Sequence, residues 1–237
     1  MFYSQLKNTI VFDYSINGSI LSRLSNVRDL GVVFDEKLSF ISHIEQVVAC
    51  ASRMLGFILR NSKHFSNVST IKLLYYSYVR SRLEYCSIVW SPIYSRHSNS
   101  VEGVQRRFLK YLMFREDGSY PQRGMEHSLI LTRFEELPLT VRRDSQSVAF
   151  LHKLLNSKID CPLLLKHLSF HVPRIGARQQ PTFSLAFARS NILSQSPIHK
   201  MCYNFNRVSD CCDIHHDSLP TILGQLHALS GYPHIVR

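Results

Sequence analysis

With 237 residues, 45% of them apolar, the chain is long enough to bury a core, and wholesale disorder is excluded. The formal net charge is +11, and no run of roughly 18 apolar residues occurs, which excludes a membrane-spanning helix. The opening stretch "MFYSQLKNTIVFDYS" lacks the basic, apolar and cleavage segments of a secretory signal, and the six cysteines are irregularly spaced. Reduced thiols in a nuclear or cytoplasmic protein are therefore expected.

The first element in chain order is a hairpin. "NTIVFDYSINGSILSRLS" alternates around Asn17-Gly18, a pair that tolerates positive φ at both central positions of a two-residue turn. "RDLGVVFD" then reads as a third strand, with Gly31 inside it marking a bulge or a close backbone approach. Asp29, Asp35 and Glu36 form the one acidic group in this part of the chain. Two-metal chemistry needs carboxylates that converge on ions about 4 Å apart. An extended strand would separate Asp29 from Asp35 by about 20 Å, so the acids read as a charged strand start and the flank of a helix.

The next segment has the clearest helical period in the chain. Ser39 is a plausible N-cap, and Phe40, Ile44, Val47, Val48, Ala51, Leu55 and Ile58 share one face over roughly six turns. A second helix is expected over "VSTIKLLYYSYVRSRLEYCSIVW", apolar nearly all round and stopped by Pro92, with Arg80 and Glu84 spaced to pair. A third covers "SVEGVQRRFLKYLMFR", with Val101, Val104, Phe108 and Leu112 inward and Arg106, Arg107 and Lys110 clustered opposite. "EDGSYPQRG" reads as a loop and a boundary. Beyond it lie a fourth long helix over "LPLTVRRDSQSVAFLHKLLNS", a short helical "LLLKHL", an irregular stretch with Pro173, Gly176 and Pro181, and two helices near 192–207 and 218–230. The expected fold class is mainly α: a helical bundle, a small N-terminal antiparallel β-hairpin sheet, and a helical, partly irregular C-terminal extension.

Charge is uneven along the chain. Residues 53–115 hold eleven Lys/Arg against two Asp/Glu, and a concentrated basic surface points to a polyanion such as nucleic acid. Tyr75, Tyr76, Tyr78 and Tyr85 lie among Lys72, Arg80 and Arg82; they suit either base stacking or a core. "CYNFNRVSDCCDIHH" offers zinc-ligand residue types but no paired Cys-x-x-Cys, so thiols without metal are expected there, and no cofactor is expected elsewhere. There is no Gly-rich phosphate loop, no G-x-S-x-G and no H-E-x-x-H.

Three blocks taken together suggest a family. "VRDLGVVFDEKLSFISHIEQVVACASRMLGFILRNS", "LLYYSYVRSRLEYCSIVWSP" and "VEGVQRRFLKYL", in this order and spacing, resemble the region after the catalytic motifs in reverse transcriptases of non-LTR retrotransposons, the Jockey-like group of LINE elements. The similarity spans about residues 8–207. It implies that 1–37 is a palm remnant with a primer-grip-like hairpin, 38–116 a thumb-like helical domain, and 117–237 the extension that follows the thumb. Leu30, Gly31 and Val32 would then approach the primer backbone, and Arg53, Arg60, Lys63, Arg106, Arg107 and Lys110 would contact phosphates. The family's aromatic-x-Asp-Asp motif does not occur in this sequence. A truncated copy that does not polymerise by itself is expected. Its partner would be an RNA or RNA–DNA duplex, held weakly by charge, or a palm domain supplied in trans; no small-molecule substrate and no membrane are expected.

Overall fold

The computed structural model describes residues 3, 12–65, 67–172 and 181–232. The chain is mainly helical with two small antiparallel two-stranded sheets near the N-terminus, which is the fold class expected from the sequence. The part of the first expected strand before residue 12, and the irregular stretch at Pro173 and Gly176, lie outside the described residues.

β1 (Ser15–Ile16) and β2 (Ser19–Ile20) pair antiparallel around Asn17-Gly18, whose φ values of 50° and 78° are those of a primed hairpin turn. The expected third strand is instead a second hairpin. β3 (Asn26–Asp29) pairs with β4 (Val32–Asp35), and Leu30-Gly31 forms the turn with φ of 44° and 86°. Gly31 is thus required by turn geometry rather than by a bulge within one strand. The hairpin also changes the account of the acids. Asp29 lies opposite Val32 and Asp35 opposite Asn26, which places the two carboxylates on opposite faces of the ribbon.

Asp35 has a structural task. Its carboxylate accepts hydrogen bonds from the Lys37 N–H (3.0 Å), the Ser39 N–H and hydroxyl (both 3.0 Å) and the Phe40 N–H (2.7 Å). Burial alone would raise its pKa, but these four donors outweigh burial and hold it below the usual carboxylate range. The clasp fixes the entry into α1 (Ile41–Asn61), where Phe40, at φ 56°, occupies the N-cap that the sequence assigned to Ser39. Ser39 contributes a weaker contact from its Oγ to the Ile41 N–H at 3.4 Å.

A short 3-10 turn (Ser62–His64) leads to α2 (Val68–Tyr75), capped by the Asn67 side chain. The expected single helix from Val68 to Trp90 is broken. α2 passes through a π turn (Tyr76–Arg80) into α3 (Ser81–Glu84), and Cys86, at φ 54°, separates it from α4 (Ser87–Trp90). Trp90 stabilises the break: it is fully buried, and its indole N–H donates to the Tyr85 carbonyl at 2.7 Å. The Arg80–Glu84 pair forms at 3.8 Å.

α5 (Ser95–Asp117) runs longer than its periodic stretch and ends at Gly118, in the left-handed conformation common past helix C-termini. α6 (His127–Arg133) and α7 (Leu139–Leu155) follow. The start of α7 is capped from α5: Glu102 accepts from the Leu139 and Thr140 N–H groups at 3.1 and 2.6 Å. The chain continues through α8 (Pro162–Leu165), α9 (Asn191–Ser194), α10 (Pro197–Asn206) and α11 (Leu219–Leu229).

Two apolar clusters fill the interior. The first runs from Val32 to Leu139 and includes Ile44, Leu55, Leu83, Trp90 and Phe108, with Tyr75 stacked on Phe108 at 3.8 Å and 7° between planes. The second joins Val148 and Leu151 of α7 to Phe183, Phe205, Ile222 and Leu226. α7 contributes to both, so it links the preceding helices to the C-terminal part.

Candidate nucleic-acid interface

The Leu30-Gly31 turn is held at the edge of a cleft. The Tyr85 hydroxyl donates to the Leu30 carbonyl at 2.9 Å, and a Cβ on Gly31 would lie 3.5 Å from the Tyr85 ring. On the other strand the Val33 N–H donates to Nδ1 of His43 at 3.2 Å, and the His43 ring meets Trp90 edge to face at 5.2 Å. Trp90 in turn binds the Tyr85 carbonyl. Hairpin, α1, α4 and the Tyr85 corner therefore form a closed ring of contacts. Leu30 projects outward with 84% of its surface exposed, whereas the Val32 side chain is buried and only its backbone is at the hairpin.

The cleft beside this turn has a volume of about 400 Å³; Arg28, Arg53 and Arg82 line it together with Gly31, His43 and Tyr85. Among the described residues none of the three arginines forms an ion pair. Arg53 donates to the Cys50 sulfur at 3.0 Å, which leaves its other donors available. Three unpaired guanidinium groups around a half-open cleft suit successive phosphates, because each presents planar donors matched to phosphate oxygens.

His43 is the titratable group in the wall of this cleft. With the Val33 N–H donated to Nδ1, the neutral ring carries its proton on Nε2. Burial, and then the nearby Arg28 charge, lower its pKa below the usual 6.5. The hairpin contact is therefore complete above about pH 6.5 and is lost as pH falls through the depressed folded value. In an NMR titration the Val33 amide resonance is expected to shift with a midpoint below the usual histidine value of 6.5. A shift centred at or above 6.5 would contradict this arrangement.

The other predicted phosphate-binding residues lie apart from this cleft. Arg106, Arg107 and Lys110 project from α5 around a shallow depression of about 440 Å³ that also includes Leu59, Tyr111 and Tyr120. Arg60 is two helical turns past Arg53 on the same face of α1, and Lys63 follows in the 3-10 turn; both are exposed. Arg115 fastens that turn to α5 by donating to the carbonyls of Ser62, Lys63 and Phe65 at 3.2, 2.9 and 2.6 Å. The basic residues thus form two patches, with Gly31 and Arg53 together in one and Arg106, Arg107 and Lys110 in the other.

No protein-family model, curated protein or solved structure matches this chain. The local geometry alone sorts the aromatics. Tyr75 is core, Tyr76 lies under Arg80 at 3.8 Å and donates to Glu136, and Tyr78 and Tyr85 are exposed. Among the described residues no three His, Cys, Asp or Glu side chains come together as metal ligands. Cys202 and Cys212 are buried, Cys211 is exposed, and burial pushes the Cys202 thiol up to about 11. The sequence did not single out Arg28 or His43, and it marked Arg82 only as one of the basic residues among the tyrosines. Arg28 and Arg82 come from separate elements, and only the pairing of β3 with β4 and the break after Glu84 place them beside Arg53.

Proposed function

We propose that this chain corresponds to the primer-grip, thumb and extension region of a non-LTR retrotransposon reverse transcriptase, and that it binds RNA–DNA or RNA duplexes without reading their sequence. The observation that carries the reading is the cleft with three unpaired arginines, Arg28, Arg53 and Arg82, beside the Leu30-Gly31 turn. Phosphate contacts fix position but carry no base information, so sequence independence follows. Without an Asp-Asp pair in its sequence the chain is not expected to extend a primer. Fluorescence anisotropy with two RNA–DNA hybrids of equal length and unrelated sequence should give affinities within about threefold of each other. A preference of 100-fold or more, on the order of what specific readout supplies, would overturn the reading.

A second reading, association with a palm domain in trans, is favoured by the N-terminal hairpin. Phe12, Tyr14, Ile16, Ile20, Leu21 and Leu24 are all exposed there, between 48% and 70%. The register sets Tyr14, Ile16 and Leu21 on one face of this hairpin, and exposed apolar side chains grouped in this way drive association. Light scattering coupled to size exclusion separates the two: a monomer that retains duplex affinity supports the first, and self-association without duplex affinity supports the second.

A further inference from the structure

A second polar cavity lies away from both basic patches, where α7 and α10 meet the corner between α4 and α5. It measures about 210 Å³ and is lined by Arg143, Lys200 and Arg207, by one carboxylate, Asp144, and by the hydroxyls of Ser91 and Ser98. Lys200 donates to Ser91 Oγ at 2.7 Å and lies 3.4 Å from Asp144. Arg207 is 3.8 Å from the same carboxylate, beyond hydrogen-bond distance. Arg143 is only 4% exposed; its Nη2 donates to Ser98 at 3.2 Å, and Glu102 lies 3.7 Å away behind it. Its Nη1 has no hydrogen-bond partner among the described residues.

Three cations thus line the cavity, Lys200 and Arg207 beside Asp144 and Arg143 beside Glu102, and donors remain on each: Nη1 of Arg143, the third N–H of Lys200 and the guanidinium of Arg207. Glu102 offsets part of the Arg143 charge from behind, at 3.7 Å, so the group as a whole holds an excess of one positive charge. A buried guanidinium donor without an acceptor is unfavourable, and a tetrahedral oxyanion would satisfy the remaining donors together. The cavity has room for a tetrahedral phosphate group.

We propose that this cavity binds a phosphate group, held by Arg143, Lys200 and Arg207 and oriented by the Ser91 and Ser98 hydroxyls. The site draws on both halves of the molecule: Ser91 and Ser98 flank the first apolar cluster, and Lys200 and Arg207 belong to the α10 region of the second. Occupancy would therefore tie the C-terminal part to the thumb-like helices. Burial pulls the Lys200 ammonium below its usual pKa, with Asp144 opposing; a bound anion would act in the same direction as Asp144. The phosphate could be free, as inorganic phosphate or a small phosphomonoester, or it could be the terminal phosphate of a nucleic acid.

Isothermal titration calorimetry of the full chain with inorganic phosphate, against chloride at matched ionic strength, tests the site. One saturable site is expected, weakened at least tenfold in Lys200→Met and in Arg207→Gln, and unchanged in Arg106→Gln/Arg107→Gln. Arg143→Met removes contacts to Ser98 and Glu102 and is expected to fold poorly, so exposed Arg207 carries the test. Comparison of a short oligonucleotide with and without a 5′-phosphate distinguishes the sources. A gain from the 5′-phosphate that disappears in Arg207→Gln assigns a nucleic-acid end, and no gain assigns free phosphate. No saturable binding to the wild-type chain, or binding unaltered in Lys200→Met and Arg207→Gln, overturns the proposal and leaves the duplex-binding reading untouched.

Discussion

Replacing Glu102 with alanine is expected to cost about 3–5 kcal/mol of stability, the range measured when one member of a buried ion pair is removed. Glu102 is 8% exposed and performs two tasks: it caps α7 through the Leu139 and Thr140 amides, and it faces the buried Arg143 guanidinium. Alanine leaves both amides without their acceptor and Arg143 without its nearest charge. Folded domains hold about 5–15 kcal/mol in total, so the loss is a large fraction of the whole. Glu102→Gln keeps an acceptor for one of the two amides and loses the charge and the second acceptor, so it should fall between wild type and alanine. Urea unfolding monitored by circular dichroism is the measurement. A lowered midpoint with an unchanged slope is expected, and a loss of less than about 1 kcal/mol, an ordinary single hydrogen bond, would contradict the assigned role.

The second large effect concerns binding. Neutralising the cleft as Arg28→Gln/Arg53→Gln/Arg82→Gln is expected to weaken hybrid-duplex affinity about 100-fold at low salt, taking roughly 1 kcal/mol for each solvent-screened phosphate contact. None of the three arginines forms an ion pair among the described residues, so the folded state should tolerate the change with only a small shift in its unfolding midpoint. The parallel variant Arg106→Gln/Arg107→Gln/Lys110→Gln separates the two patches. If it weakens binding as strongly, the duplex spans both; if it leaves binding intact, the cleft beside the hairpin is sufficient.

The helices were legible where their apolar period was strong. Residues Phe40 to Ile58 announced α1, and the inward face of α5 was read from Val101, Val104, Phe108 and Leu112, all of them buried. The Asn17-Gly18 turn was legible because those residue types favour positive φ. The Leu30-Gly31 turn was not, because leucine is a poor residue at φ 44° and the apolar run "GVVF" continues the look of one strand. Leu30 is held there by a hydrogen bond from Tyr85, 55 residues away, which local sequence cannot display. The break at Cys86 has the same character, since no glycine or proline marks it and Trp90 stabilises it through the Tyr85 carbonyl. For the site, the sequence showed how many basic residues there were but not which would meet. Arg28, Arg53 and Arg82 belong to three elements whose packing brings them together, while Arg106, Arg107 and Lys110 face away on α5. The cavity of Arg143, Lys200 and Arg207 depends on contacts between residues distant in the chain and left no mark in spacing or composition.

The most direct test of duplex binding by phosphate contacts is the salt dependence of wild-type affinity for an RNA–DNA hybrid. Each contact contributes about 0.9 to the slope of log affinity against log salt on a B-form duplex, so three arginines predict a slope near −3 and about a 100-fold loss between about 50 and about 300 mM monovalent salt. Equal affinity at those two concentrations would contradict the account.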